Sequence, residues 1–531
     1  MGMDKPRRTL PEMLPYSAAW PADPRKRGWA TAARIGGYVI IFGAILTSII
    51  QFQYLTVRNL RDAARFDSQH PHLTDRQAAE LGLDRPKDHA GAIARWRTAV
   101  RQFWAGGNIY RGQDPDAEQD VWLHPNMPFT VILLTPFAYL PPPAMAAVLS
   151  AAKALVLLAA FWAAVRLANH GGLRVPDWVV FLALAYAVMP IVGDIRHGNT
   201  NVFVLGAIVL HLWLYRRGRD IAAGTGLALA VCLKMTPALF VLYWLYQRNW
   251  KLLGAAAVAL AVFTVVIPLG ACIGIQGFHA KAGVDHFATL NSTWLDNLIL
   301  PGLVKASWYP IHINQSLPAV TGRYLLGPDS GNSAGNGGNV FWNPDDVLYS
   351  LRDANKDQWI NVASLPESQV KWIIRLLQFA VVGLMAWAIG WRKLPRDDGR
   401  RALHYGMVVL GILILNQRTW DHHGAILPIA SLAVWYALCH GRFGRGLRWT
   451  CLLLVILAGP MIVLPGVAGA MDRLLGGTSR AAKHVADVVD AYGPRLLHYL
   501  LMLVAAALLS AALRKSEDPY AEQRQTLKAE A

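Results

Sequence analysis

The sequence predicts an all-α integral membrane protein, a polytopic helical bundle with about ten crossings, re-entrant segments and two large outer loops. Three observations predict it. The 531-residue chain is 54% hydrophobic and only 16% charged, which is too apolar for an ordinary soluble globule. Apolar runs near the ~20 residues that a spanning helix needs recur at 33–53, 142–166, 176–192, 199–215, 252–270, 369–391, 402–418, 423–440, 447–468 and 493–513. Basic residues gather in the short polar breaks between these runs, in a chain of formal net charge +17.

Each element follows from that pattern. Lys5, Arg7, Arg8, Arg25, Lys26 and Arg27 precede the first run, so residues 1–32 read as a basic cytoplasmic segment. The first run is long, begins after residue 30 and lacks a small-residue cleavage site, so it reads as a span and not a cleaved signal. Residues 54–127 follow as the first outer loop, with a helical stretch near 90–104. The run 128–140 is too short to cross and reads as re-entrant, ended by Pro141, Pro142 and Pro143. Runs 176–192 and 199–215 make a hairpin whose outer turn is 193–199.

Arg216, Arg217 and Arg219 stand before residues 220–246, and Arg248 and Lys251 stand after them. That segment therefore starts and ends on the cytoplasmic side, as a re-entrant helix pair broken at Lys234-Met235-Thr236-Pro237, where proline disfavours helix in the preceding residue. The same reasoning puts Arg392–Arg401, Arg442–Arg448 and the tail 514–531 in the cytoplasm, and leaves a second outer loop at 271–368. Its stretch 331–338, rich in Gly, Ser and Asn, reads as flexible. Residues 33–513 are then one transmembrane domain of a multi-pass cell (inner) membrane protein, with both termini cytoplasmic.

Nucleic acid is excluded as a partner, because the basic residues are dispersed among loops and form no single face interleaved with aromatics. The four cysteines indicate no disulfide framework: Cys232, Cys439 and Cys451 lie in apolar runs and only Cys272 approaches an outer loop.

Several polar motifs sit at the ends of apolar runs that this topology puts on one face. Trp420-Asp421-His422-His423 puts two adjacent histidines at membrane depth, where they can donate to a phosphate or shuttle a proton. Structural hydrogen bonding is the plain alternative, and a metal site lacks the spacing of a ligand set. Lys234 is the only Lys or Arg in its apolar segment, and an ammonium at that depth needs a cavity or an anionic partner. In Asp194-Ile195-Arg196-His197-Gly198-Asn199-Thr200-Asn201, a charged pair precedes a glycine and then a helix start whose amides favour anions. Capping accounts for Asn199 or Thr200 but not for Arg196 and His197. Asn314-Gln315-Ser316, on spacing alone, reads first as a turn. The acidic candidates for a catalytic base lie in the first outer loop: Asp62, Asp67, Asp75, Asp84 and Asp88, with Asp88 preferred because it is nearest the helix leading to Tyr110.

With these residues assembled, the chain resembles glycosyltransferase family 87, the polyprenol-phosphate-mannose-dependent α-mannosyltransferases of the integral-membrane type C superfamily. His197-Gly198-Asn199-Thr200-Asn201 resembles the family's G-Q-x-N element, with Asn199 in place of the usual glutamine. Leu233-Lys234-Met235-Thr236-Pro237 matches K-x-x-P, Asn314-Gln315-Ser316 matches N-Q-S, and Thr419-Trp420-Asp421-His422-His423 matches S-W-x-H-H. His124-Pro125 occupies the place of an aromatic-proline motif. The aspartate that typical members carry about eighteen residues before the Tyr110 equivalent is replaced here by Ala92-Ile93-Ala94-Arg95-Trp96, with Asp88 the nearest upstream acid.

The resemblance implies a type C glycosyltransferase domain that transfers a sugar, most often mannose, with inversion and without metal or other cofactor. The donor it implies is a polyprenyl-phosphate sugar, the acceptor a hydroxyl of a glycan or glycolipid at the outer face, and membrane lipid is the surrounding partner. It implies Asp88 as catalytic base, with Asp62 and Asp67 as alternatives. It implies Arg196, His197, Asn199, Lys234, Asn314, Gln315, His422, His423 and His124 as substrate-binding residues. Two other readings remain: a transporter or flippase of a lipid-linked saccharide, for which the halves 128–270 and 369–513 show no matching inverted pattern, and a non-catalytic relative of the family.

Overall fold

The computed structural model describes residues 24–71, 90–110, 126–169, 175–300, 312–326, 360, 362–476 and 479–514. In chain order the helices are α1 (Pro24–Gln69), α2 (Ile93–Trp104), α3 (Pro128–Ala138), α4 (Pro142–Ala168), α5 (Asp177–Arg196), α6 (Asn201–Arg216), α7 (Asp220–Leu233) and α8 (Leu239–Tyr246). They continue with α9 (Trp250–Ile275), α10 (Ala280–Trp294), α11 (Leu317–Leu325), α12 (Glu367–Ile389), α13 (Arg400–Leu415), α14 (Pro428–His440), α15 (Arg445–Leu474), α16 (Ser479–Ala491) and α17 (Pro494–Leu513). The all-α polytopic architecture is as expected from the sequence, and the described residues contain one isolated β-bridge, Leu326 with Leu365.

Seven of these helices, α1, α4, α5, α9, α12, α15 and α17, are long and apolar enough to cross a membrane. Their outward faces are apolar: Trp372, Leu376 and Phe379 on α12 are 65%, 65% and 72% exposed, a pattern suited to hydrocarbon and unsuited to water. The runs expected to span at 199–215, 402–418 and 423–440 form the shorter helices α6, α13 and α14, of 16, 16 and 13 residues. The reason is position. Every residue of α14 is buried, and so is α13 from Arg400 to Ile414, so neither helix has a lipid face to match to the bilayer thickness.

α1 is longer than the span expected at 33–53. It stays helical to Gln69, so residues 54–69 of the expected first outer loop are helix. The 11-residue α3 is about 16 Å long, too short to cross, as its sequence predicts.

The segment 220–246 breaks where proline and lysine predict. α7 ends at Leu233, Lys234 is extended (φ −161°, ψ 133°), and Thr236–Ala238 form a 3-10 turn leading into α8. Thr130 on α3 donates its hydroxyl to the Cys232 carbonyl at 2.9 Å, meeting one of the acceptors that the break leaves open. Both outer ends of this helix pair meet the same loop. Asp220 at the start of α7 holds Arg396 through two bonds of 2.7 and 2.8 Å, while Gln247, just after α8, accepts from the Leu394 amide at 3.4 Å. The pair therefore enters and leaves on one face, which also carries Arg216, Arg248 and Arg401.

Two large hydrophobic cores result, beside a small cluster of Leu326, Val370 and Ile374. The larger joins α4–α8 with α12–α15 and α17. The smaller gathers Phe52, Ile93, Trp96, Phe103, Tyr110, Phe129, Met145, Cys272 and Trp294, packing the segment 90–110 onto α3, α9 and α10.

Candidate active site

The site forms where α5 turns into α6, opposite the break after α7. Gly198 takes φ +62°, which a side chain would strain, and so reverses the chain within His197–Thr200. Asp194, fully buried, organises the turn. Its Oδ1 accepts from the Asn201 backbone amide at 3.0 Å and from the Asn201 side-chain amide at 2.9 Å. Its Oδ2 lies 3.0 Å from the Lys153 ammonium, which also donates to the Asp194 carbonyl at 2.8 Å. Lys153 is 2% exposed and stands in the middle of α4.

The Asn201 side-chain oxygen in turn accepts from the Lys234 ammonium at 2.8 Å. Asn199 plays the same part for Arg95, accepting from its guanidinium at 3.3 Å. Segment 90–96 is pinned to the turn: the Ala92 amide donates to the His197 carbonyl at 2.8 Å and the Trp96 indole to the Gly198 carbonyl at 3.2 Å. Lys234 and Arg95 thus meet amide oxygens, and neither forms an ion pair among the described residues.

The third wall is the 3-10 segment Asp421–Ile426. Two glycines let it lie against α5: a Cβ on Gly424 would stand 2.8 Å from the Pro190 ring, and one on Gly193 would stand 3.1 Å from the Asp421 carboxylate. His422 lies 5.7 Å from His197 and 4.8 Å from His423, centroid to centroid, and Trp420 stacks on His423 with planes 5° apart. Burial first, then the charge of Lys234, holds His422 well below the ordinary histidine value, with His197, Arg95 and Lys153 adding to the same field. The imidazole is therefore a neutral donor or acceptor inside a cationic nest. Asp421 is paired at 3.1 Å with Arg495, which also binds Asp490 at 2.6 Å.

Those expected site residues that the structure describes fall into three groups. Asn199, Lys234, His197, His422 and His423 converge, and Arg196 is exposed beside them. Asn314 and Gln315 are fully buried behind the site. Asn314 donates to the Gln417 carbonyl at 2.8 Å and accepts from the Thr419 amide at 2.9 Å, and Gln315 donates to the Asp490 and His312 carbonyls at 2.8 and 2.7 Å. They brace the segment that carries Trp420–His423. Asp62 and Asp67 stand apart: Phe52 abuts Gly198, and along α1 these acids are a further ten and fifteen residues on, about 15 and 22 Å. Asp88, with Asp75 and Asp84, and His124 lie outside the described residues.

Sequence reasoning missed Lys153, Asp194 as a hub, Arg95 and Arg495. Lys153 carried the signal that identified Lys234, a lone cation in an apolar run.

From Thr200 and Leu233, the immediate neighbours of Asn199, Asn201 and Lys234, an apolar groove of about 560 Å3 runs between α3, α4, α6 and α7. Leu133, Phe137, Val156, Trp162, Phe203 and Leu210 line it. The described residues hold no cluster of three or more His, Cys, Asp or Glu arranged for a metal.

Residues 122–333 match the family model of glycosyltransferase family 87. The match takes in Lys153, Asp194, His197, Asn199, Asn201 and Lys234, the centre of the cluster, and supports a membrane glycosyltransferase. Comparison with curated proteins and with solved structures returned no match.

Proposed function

From the family 87 glycosyltransferase sequence carried by residues 122–333, we propose that the protein transfers a sugar, mannose by the resemblance, from a polyprenyl-phosphate carrier to an acceptor hydroxyl of a glycan or glycolipid. The reaction inverts the anomeric centre and takes place at the outer face of the cell membrane. One observation carries this reading. Two cations without carboxylate partners among the described residues, Lys234 and Arg95, stand at the polar end of an apolar groove. A ligand that satisfies both features is an anion with a long hydrocarbon tail, because the groove removes the tail from water while the cations meet the phosphate.

The chemistry follows from that placement. The acceptor oxygen attacks the anomeric carbon from the side opposite the phosphate, a carboxylate takes its proton, and the bond from carbon to phosphate oxygen breaks with its electron pair leaving on the phosphate. Negative charge grows on the phosphate during that step. Lys234, Arg95 and Arg196 stabilise it, and neutral His422 or His197 donates a hydrogen bond to it. Asp88 is the proposed base. It stands four positions before Ala92 in the sequence, and the Ala92 amide donates to the His197 carbonyl. His423 and His124 complete the proposed binding set, and Asn314 and Gln315 act on it through the brace they form.

The test is transfer from radiolabelled polyprenyl-phosphate mannose, in detergent, with purified wild-type protein and variants. Lys234→Ala, Arg95→Ala and Asp88→Asn should each lower turnover by about 100-fold or more while unfolding at the wild-type temperature. Asp62→Asn and Asp67→Asn should retain it. Full activity in Lys234→Ala would refute the phosphate role.

A further inference from the structure

A second basic pocket lies at the other end of the bundle. Residues Ile389, Trp391, Arg392, Arg400, His404 and Arg514, with Gly390, Leu394 and Ala511, enclose about 340 Å3 where α12 ends, α13 begins and α17 ends. α13 separates it from the candidate active site: Arg400 starts that helix and Leu415 ends it, about 22 Å away and one residue before the Asn416–Thr419 turn.

The chemistry of this pocket is that of an anion site. Its lining contains three arginines and no carboxylate among the described residues. Arg400 is matched by Asp398, which accepts from its backbone amide and its Nε, both at 2.9 Å. Arg392 and Arg514 have no carboxylate partner among the described residues: Arg392 is exposed at the rim, and Arg514 donates to the Trp387 carbonyl at 2.7 Å. Other carbonyls at this end of α12 also accept, Ala386 from the Tyr246 hydroxyl at 3.3 Å and Trp391 from Arg248 at 3.4 Å. His404 lines the cavity at 1% exposure, and its Nε2 has no hydrogen-bond partner. A buried, unpartnered ring nitrogen on a residue that lines a cavity indicates an absent partner. Trp391, 75% exposed, and Trp387, 50% exposed, flank the rim as aromatic side chains do at a membrane interface.

We propose that this pocket binds a phosphate group at the end of the bundle opposite the candidate active site, with Arg392 and Arg514 as its principal contacts and His404 as a buried hydrogen-bond partner. Two sources offer that group, the headgroup of an anionic phospholipid and a free phosphate. The cavity has room for roughly ten waters' share of volume, enough for a phosphate with part of a headgroup. The site stands on its own residues and holds whether or not the glycosyl-transfer reading does.

The experiment uses full-length protein in nanodiscs of phosphatidylcholine, with or without phosphatidylglycerol, and inorganic phosphate in separate samples. On wild-type protein, phenylglyoxal modification of Arg392 and Arg514 is followed by peptide mass. Protection by phosphatidylglycerol assigns the site to lipid, and protection by inorganic phosphate in neutral discs assigns it to a soluble phosphate. Native mass spectrometry then compares retention of the protecting ligand. Each arginine near an anionic headgroup is worth roughly fivefold in affinity, so Arg392→Gln with Arg514→Gln should lower retention roughly 25-fold. Equal modification rates in all samples, or equal retention by the double variant, would overturn the proposal.

Discussion

Lys153 and Asp194 show how the site is held at the level of single residues. Both are buried, and their pair is the anchor to which Asn201 and then Lys234 are tied. Breaking one partner of such a pair leaves a buried charge, so Asp194→Asn should lower stability by about 3–5 kcal/mol. Adding Lys153→Met to it should recover most of that loss, which chemical denaturation in detergent would measure as a double-mutant cycle. His422 supplies a pH dependence. The folded state holds its imidazole below the ordinary value of 6.5, so as pH falls below 6.5 the unfolded chain takes up a proton that the folded one refuses. Stability from this residue is complete above pH 6.5 and falls in acid, by at most about 1.4 kcal/mol per pH unit. Unfolding midpoints should fall more steeply between pH 7.5 and 5 in wild type than in His422→Gln.

At the scale of elements, the site depends on how closely a short 3-10 segment approaches α5. Gly424 permits that approach, because a methyl group there would press on the Pro190 ring at 2.8 Å, and a proline ring has little freedom to move. Gly424→Ala should therefore cost about 1–3 kcal/mol and reduce transfer, while Gly444→Ala, where nothing lies within 4 Å of the added carbon, should change neither. A matched pair of unfolding and transfer measurements separates the two. The re-entrant pair α7–α8 was legible from Lys234, Pro237 and the arginines that flank it. The brace formed by Asn314 and Gln315 was not, since its partners, the carbonyls of Gln417 and Asp490, lie 103 and 175 residues away.

The whole molecule is a polarised bundle. One end gathers Arg216, Arg248, Arg396, Arg401 and Arg514, and the other gathers His197, Lys234 and His422. α6 connects the two ends with 16 residues, about 24 Å, so Arg196→Cys and Arg217→Cys should react with an impermeant maleimide from opposite sides of sealed vesicles. The native cysteines are all buried and leave that readout clear. Reaction of both from the same side would contradict the arrangement of α5, α6 and the re-entrant pair.

By itself the sequence determined that this chain is a helical membrane bundle, where its backbone breaks, and which lone cations need partners. Those properties are local: apolar run length, proline, and the cost of a charge in hydrocarbon act within a single segment. Only the tertiary structure decided which segments meet. It placed Arg95, Asn199, Asn201, Lys153 and Asp194 around Lys234, set α13 and α14 inside the bundle, and opened the apolar groove beside the cations. Such choices follow from packing between helices far apart in the chain, and no single segment encodes its neighbour.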